Sequence, residues 1–381
     1  MPPALLVTTD EQLAAALEML SGSNFIALDT EFMRERTYYA SLCLIQAATP
    51  DACAIIDPLA GMDLQPLWTF LNDRSRLKVL HSGRQDLEVL TQAMAASSVD
   101  DPTSVAAVPG PLFDTQVAAA LLGSPAQVGY ATLIAERVGH SLPKAHTRTD
   151  WSRRPLSAEQ LEYAADDVRY LVPLYLDLQA ALSARGRTQW QSEEADDMED
   201  PALYRIEPAD AWRRLKGLDR LRPDQRATVK LLAEWREARA MRKDKPRGWI
   251  LADEFVRAIA ERMPTSRVEL DTIEGLSANF LRKRSEEIID LVKQGRANAA
   301  AEAPAITPVR PDPALVARTT RLLALVRSEA QRLEVAPELL ATRRDVEQIV
   351  FSGRSDHMTA GWRREAIGEK LLAANAAMAA G

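Results

Sequence analysis

Over the first ~190 residues, short apolar runs alternate with helical periodicity; from Ala202 onward only helical periodicity remains. Asp10 to Leu20 predicts a helix. Phe25-Ile26-Ala27-Leu28, bounded by Ser21-Gly22-Ser23-Asn24, predicts a strand that runs on into Asp29-Thr30-Glu31-Phe32. Ser41 to Gln46 and Ala52 to Asp57 predict the next two strands. Lys78 to His81 is a short fourth, followed by Ser82-Gly83 and a helix from about Arg84. A Pro-, Ser- and Asp-rich loop, Ser97 to Pro111, leads to Leu112-Phe113-Asp114 and an Ala/Leu helix ending at Leu122. Leu156 to Arg185 is a long helical pattern. Ser157 and Gln160 form a capping box at its start, and Pro173 predicts a kink or a break. Together these elements predict an α/β fold, a mixed sheet flanked by helices.

Gln189 to Pro201 is acidic and poor in apolar residues, and reads as a linker. Two all-helical stretches follow, 205–295 and 312–378, separated by an Ala- and Pro-rich connector from Ala299 to Pro313. The expected organisation is therefore an α/β domain over 1–190 and two small all-α domains. No close internal sequence repeat relates the last two.

The total charge of −7 conceals an asymmetry. Residues 1–200 carry 14 Lys+Arg against 28 Asp+Glu, and residues 201–381 carry 33 against 26. An acidic first half suits cations, and a basic second half suits a polyanion; the same numbers also fit an acidic domain joined to a mildly basic one. No run of 18 apolar residues occurs, and Met1 to Val7 lacks a secretory pattern. Cys43 and Cys53 are expected to be buried free thiols of a cytoplasmic protein.

Asp29 and Glu31 change the picture. Two apart on a strand, they point to one face. Burying two like charges side by side costs several kcal/mol unless a cation neutralises them, and hard divalent metals take oxygen ligands. Asp86 falls early on the helix after the fourth strand, near a strand end where α/β folds place sites. Tyr163 and Asp167, four apart, share a helix face, whereas Asp166 points elsewhere. Four carboxylates can hold two divalent ions. Two such ions ~3.5–4 Å apart can cleave a phosphodiester, with a tyrosine orienting the attacking water.

These segments resemble the three motifs of the DEDD exonuclease superfamily: Asp29-Thr30-Glu31-Phe32, His81 through Asp86-Leu87, and Tyr163-Ala164-Ala165-Asp166-Asp167-Val168. Tyr163, four before the last Asp, resembles the DEDDy branch. Arg36-Thr37-Tyr38-Tyr39 leading into Leu42 to Gln46, and Thr147 to Trp151 before Arg154-Pro155-Leu156, resemble the bacterial ribonuclease D family over about residues 5–185. The resemblance implies a ribonuclease H-like fold and 3′→5′ hydrolysis releasing nucleoside 5′-monophosphates. It implies two Mg²⁺ or Mn²⁺ ions held by Asp29, Glu31, Asp86 and Asp167, with Tyr163 orienting the water. Asp166 departs from the small residue common at that place.

Ala211-Trp212 to Gly217, Leu231 to Arg247, and Ile250 to Ile273 resemble an HRDC domain; 312–378 resembles a second, divergent copy. Residues 205–249 hold 14 Lys+Arg against 7 Asp+Glu. Arg236, Arg239, Arg242, Lys243, Lys245 and Arg247 cluster there, suited to phosphate contact. Trp249 beside them is expected in the core. Lys144, Arg148, Arg153 and Arg154 form a second basic patch that either guides a 3′ strand or is surface charge, and His146 within it is expected to be structural or exposed rather than catalytic. Phe32 and His81 are further candidates for nucleic-acid contact.

The leading expectation is an exoribonuclease trimming structured RNA precursors such as tRNA, acting on a single-stranded 3′ end as a monomer away from membranes. A DNA 3′→5′ exonuclease shares the motifs, and a non-catalytic RNA-binding scaffold shares the helical half. Activity on matched RNA and DNA separates the three.

Overall fold

The computed structural model describes residues 1–97, 107–142, 149–302 and 312–380. Six strands form one sheet: β1 (Ala4–Val7), β2 (Phe25–Met33), β3 (Ser41–Ala48), β4 (Cys53–Ile56), β5 (Leu77–Leu80) and β6 (Leu112–Asp114). Their order is β1-β4-β3-β2-β5-β6. The β3–β4 pair is antiparallel, with Ile45 opposite Ile56, and the β1–β4, β2–β5 and β5–β6 pairs are parallel. β2 is thus central, and Phe25 to Leu28 are buried on both of its faces, as a covered strand requires. β1 was not foreseen; it is an edge strand whose strand neighbour, β4, lies far along the chain.

Helices α1 (Asp10–Ser21), α2 (Gln65–Leu71), α3 (Arg84–Ala96), α4 (Thr115–Ala120) and α5 (Tyr130–Leu133) flank the sheet. The long pattern beginning at Leu156 is two helices, α6 (Ala158–Arg169) and α7 (Leu171–Ala184). The break falls at Tyr170, which leaves Pro173 in the first turn of α7, where its missing N–H costs nothing. The expected linker over 189–201 is instead mostly a helix, α8 (Thr188–Met198). Tertiary contacts overrode its acidic composition: Gln191 and Ala195 are buried, and the Trp190 ring stacks on Trp362 with centroids 4.5 Å apart.

The chain forms two compact units. The second contains Arg34–Ser41 and the helices α9 (Pro223–Lys243), α10 (Arg247–Ile250), α11 (Asp253–Arg262), α12 (Arg267–Asp271) and α13 (Ala278–Ala297). Leu232, Val256, Ile259, Leu270 and Ile288 are its fully buried centre. Gly295 on α13 allows close approach to α9, since a Cβ there would lie 2.1 Å from Thr228 Oγ1. In the same unit the Tyr38 hydroxyl donates to Glu237 (2.5 Å), and the Tyr38 and Tyr39 amides donate to Asp244 (2.9 and 3.1 Å).

The first unit contains the sheet and the helices beginning with α14 (Pro313–Leu333), α15 (Pro337–Leu340) and α16 (Arg343–Ser352). Leu322, Val326, Val346 and Ile349 belong to the same apolar core as Val168, Leu171 and Leu178. The Ala336 amide donates to the Ala120 carbonyl at 2.9 Å.

A backbone repeat, hidden in the sequence, relates the two helical stretches. α9 runs from 223 to 243 and α14 from 313 to 333, an offset of 90 residues. Each ends on a left-handed residue, Asp244 (φ 44°) or Glu334 (φ 49°). The same offset relates α11, 253–262, to α16, 343–352. Leu232/Leu322, Ala240/Ala330, Val256/Val346 and Ile259/Ile349 are identical pairs, and all eight are buried. The core pattern is shared while the surfaces diverge.

Candidate active site

β2 delivers Asp29 and Glu31 to one end of the sheet, and α6 lays Tyr163 and Asp167 across from them. Ser157 caps α6 reciprocally with Gln160: the Gln160 amide donates to Ser157 Oγ (3.3 Å), and the Ser157 amide donates to Gln160 Oε1 (2.7 Å). Ala164, Ala165 and Val168 turn inward, and their small side chains let α6 lie close to the core. Asp29, Glu31, Tyr163 and Asp167 line one cavity of about 640 Å³.

Asp86 arrives by a different route. Asp114, at the end of β6, accepts from the amides of Ser82 (3.1 Å) and Gly83 (2.9 Å). Ser82 is left-handed (φ 56°), and a Cβ on Gly83 would lie 2.6 Å from that of Leu80. This turn starts α3 and buries Asp86 in its first turn. Thr30, between Asp29 and Glu31, donates its hydroxyl to Asp86 Oδ1 at 2.5 Å. Asp86 therefore stands beside the cavity wall rather than in it.

The electrostatics are those of crowded negative charge. Burial, then Asp86, Asp167 and Glu31, push the Asp29 carboxyl well above its ordinary range. Burial, then Asp167 and Asp86, raise Glu31 to about 8. Burial is also the main cause raising Asp167 to about 7 and Asp86 to about 6. The Tyr163 hydroxyl donates to Asp167, which favours the Asp167 carboxylate; Tyr163 itself is raised, by burial and then by Asp167, Glu31 and Asp29. Among the described residues, no three Asp, Glu, His or Cys side chains converge into a finished metal cage. The donor set still suits a hard divalent cation: the groups are carboxylates, burial penalises their charge, and their mutual repulsion is what such a cation relieves.

Residues beyond the expected set also line the cavity: Tyr130, Asp166, Leu142 and Leu171. The Tyr130 hydroxyl donates to the Asp166 carbonyl at 3.1 Å. Asp166 was expected to point elsewhere; it borders the cavity while its carboxylate meets Arg169 at 3.4 Å. No spacing in the sequence ties Tyr130 to the carboxylates. Thr30, between the two carboxylates, lines the cavity as well.

A family model described as 3'-5' exonuclease matches residues 5–183, and one described as HRDC domain matches residues 225–292. Ribonuclease D of Acidiphilium cryptum is 39% identical over 380 residues, covering 97% of this chain and 93% of that protein. Ribonuclease D of Nitrobacter hamburgensis is 37% identical over 371 residues, covering 97% and 94%. The chain belongs to the ribonuclease D family. The crystal structure of Escherichia coli RNase D, described as an exoribonuclease involved in structured RNA processing, matches with a TM-score of 0.85 at 33% identity, covering 98% of both chains. The protein is accordingly a 3′-5′ exoribonuclease, and exonucleases of this family depend on divalent metal. No described helix is long and apolar enough to cross a membrane.

The basic candidates separate on inspection. His81 lines the cavity, its Nδ1 3.0 Å from Thr115 Oγ1, and burial lowers its pKa. Phe32 is half-buried on β2 and is not among the cavity-lining residues. Arg153 is exposed. Arg154 is a correction. Its five N–H donors go to both Asp57 oxygens (2.6 and 2.7 Å) and to the carbonyls of Cys43, Trp151 and Arg153, so none remains for a phosphate. Lys144, His146 and Arg148 lie outside the described residues. In the second unit Arg242, Lys243, Lys245 and Arg247 are exposed. Arg236 is instead buried, donating to the Leu251 carbonyl (3.0 Å) and Asp253 (2.5 Å). Trp249, expected in the core, is 64% exposed. Cys43 and Cys53 are buried and form no disulfide, as expected.

Proposed function

We propose that this exoribonuclease trims the 3′ ends of structured RNA precursors, tRNA among them, one nucleotide at a time, releasing nucleoside 5′-monophosphates. The observation that carries the reading is the cavity in which Asp29, Glu31 and Asp167 meet beside the Tyr163 hydroxyl, with Asp86 adjoining. Asp29, Glu31, Asp86 and Asp167 would hold two divalent ions, Mg²⁺ or Mn²⁺. When bound, the ions supply a water of lowered pKa and charge to stabilise the leaving oxygen.

The chain's own residues do the rest. Asp167 accepts the Tyr163 hydrogen bond, which fixes the phenol at the cavity edge, where it orients the attacking water. The Thr30 hydroxyl and the backbone amides of Thr30 and Asp86 hold the Asp86 carboxylate in place, which orients it toward the cluster. Raised pKa values keep part of the cluster protonated near neutrality without metal, so cation binding releases protons. A cavity of this size accepts an unpaired terminal nucleotide, and a paired end must fray first.

We further propose that the stretch 312–378 is a second, divergent HRDC-type domain, supported by the 90-residue backbone repeat. Two buried cysteines outside any disulfide suit a reducing compartment, and we place the enzyme in the cytoplasm as a monomer.

The test incubates the protein with 3′-extended tRNA and with DNA of the same sequence, in Mg²⁺ or Mn²⁺, with and without chelator. Stepwise monophosphate release from the RNA, silenced by chelator, is expected. Preference for the DNA, or turnover that survives metal removal, would overturn the proposal.

A further inference from the structure

We infer that the second unit carries its own RNA site, a cavity between α9, α10 and α13 that takes one or two unpaired nucleotides by stacking and charge. The cavity holds about 350 Å³, at the low end for small-ligand sites. Its walls are aromatic: Trp235, Trp249, Phe255 and Phe280 all face it. Trp249 is the outer wall, and its 64% exposure leaves an indole surface in water. An indole in water beside a basic groove is a platform for a base, because every base has a π-face.

The cations around it are arranged in two ways. Arg239 and Arg284 are held in place by Glu287, at 3.3 and 3.2 Å, and the Trp235 indole N–H donates to the same carboxylate at 3.1 Å. One acidic residue thus fixes two guanidinium groups and one ring. Lys243 and Lys283 line the cavity, are exposed, and have no ion pair among the described residues. Two fixed and two unpaired cations beside aromatic rings match the phosphate and base of a single strand. An acidic peptide would satisfy the cations and leave the rings unused.

The backbone repeat supplies an internal control. At the 90-residue offset, Trp235 becomes Leu325, Arg239 becomes Glu329, Lys243 becomes Leu333, Trp249 becomes Leu339 and Phe255 becomes Asp345. The same helices therefore form without the rings and with one charge reversed. Trp235, Phe255 and Phe280 also pack against the unit's apolar core, so Trp249, on the water side, is the ring that packing leaves for a ligand.

This inference rests on RNA being the enzyme's substrate but not on the carboxylate assignments. The test uses the full chain with chelator present, so cleavage is silent, and reads the anisotropy of a labelled oligoadenylate. Trp249→Ala is expected to weaken binding about ten-fold, and Trp249→Phe to restore most of it. The Lys243→Ala/Lys283→Ala double variant should flatten the log–log salt dependence by about 1.4, at about 0.7 per phosphate contact. Gly248 also lines the cavity and has nothing within 4 Å of where a Cβ would stand, so Gly248→Leu should fill it and weaken binding. Melting curves should match wild type in every variant. Unchanged affinity in Trp249→Ala overturns the site. So does displacement of the RNA by poly-glutamate at equal charge, which would make it a peptide-docking groove.

Discussion

Removing one charge from a crowded group of carboxylates should act in opposite directions on catalysis and on stability. Asp29→Asn is expected to abolish monophosphate release while raising the melting temperature of the metal-free protein at pH 8 by a few degrees, because Asp29 meets Asp86, Asp167 and Glu31. The pH dependence has the same origin. Glu31, Asp167 and Asp86 titrate near 8, 7 and 6 in the fold, above unfolded values near ~4. Between those limits the folded state binds more protons than the unfolded one, so stability falls as pH rises from about 4 to 8. Millimolar Mg²⁺ should flatten that slope in denaturant titrations; a slope that ignores the metal would count against the carboxylates as its ligands. Tyr163→Phe keeps the ring and loses the hydroxyl, and should lower kcat about ten- to a hundred-fold with little change in KM. Several of these residues were legible in the sequence because local geometry fixes them: period two aligns Asp29 with Glu31, and a helical turn aligns Tyr163 with Asp167. Tyr130, Arg154 and Trp249 were not, since their surroundings come from residues far along the chain.

At the scale of elements, α8 shows where composition misleads. Asp196 and Asp197 are exposed, but Glu193 and Glu194 are structural partners rather than solvated charge. Glu194 receives both Nη groups of Arg363 and the Trp362 indole N–H (2.8 Å), while Glu193 accepts the Trp362 amide (2.7 Å). The Arg363 side chain is 8% exposed and that of Glu194 12%. Glu194→Ala would leave a buried guanidinium unpaired, with an expected cost of about 3 kcal/mol in urea unfolding. Ser157, Gln160 and the Asp29 strand were readable because caps and alternation are short-range signals. The partners of Glu193 and Glu194 lie roughly 170 residues away, and no window reaches them.

At the scale of the molecule, the fold class followed from the alternation of strand and helix patterns, and the helical second half from its unbroken periodicity. Which helices close onto which core did not follow, because apolar stripes do not name their partners. Val168 and Leu171 of the nuclease helices share a core with Leu322, Val346 and Ile349, and the Ala336 amide meets the Ala120 carbonyl. An engineer seeking a pared-down nuclease by placing a stop codon after residue 302 would therefore strip the lid from the catalytic half. The fragment should emerge as inclusion bodies or an oily, dye-binding aggregate rather than a working minimal enzyme. Supplying residues 312–381 as a separate polypeptide should rescue it in solution, as measured by co-elution and regained hydrolysis.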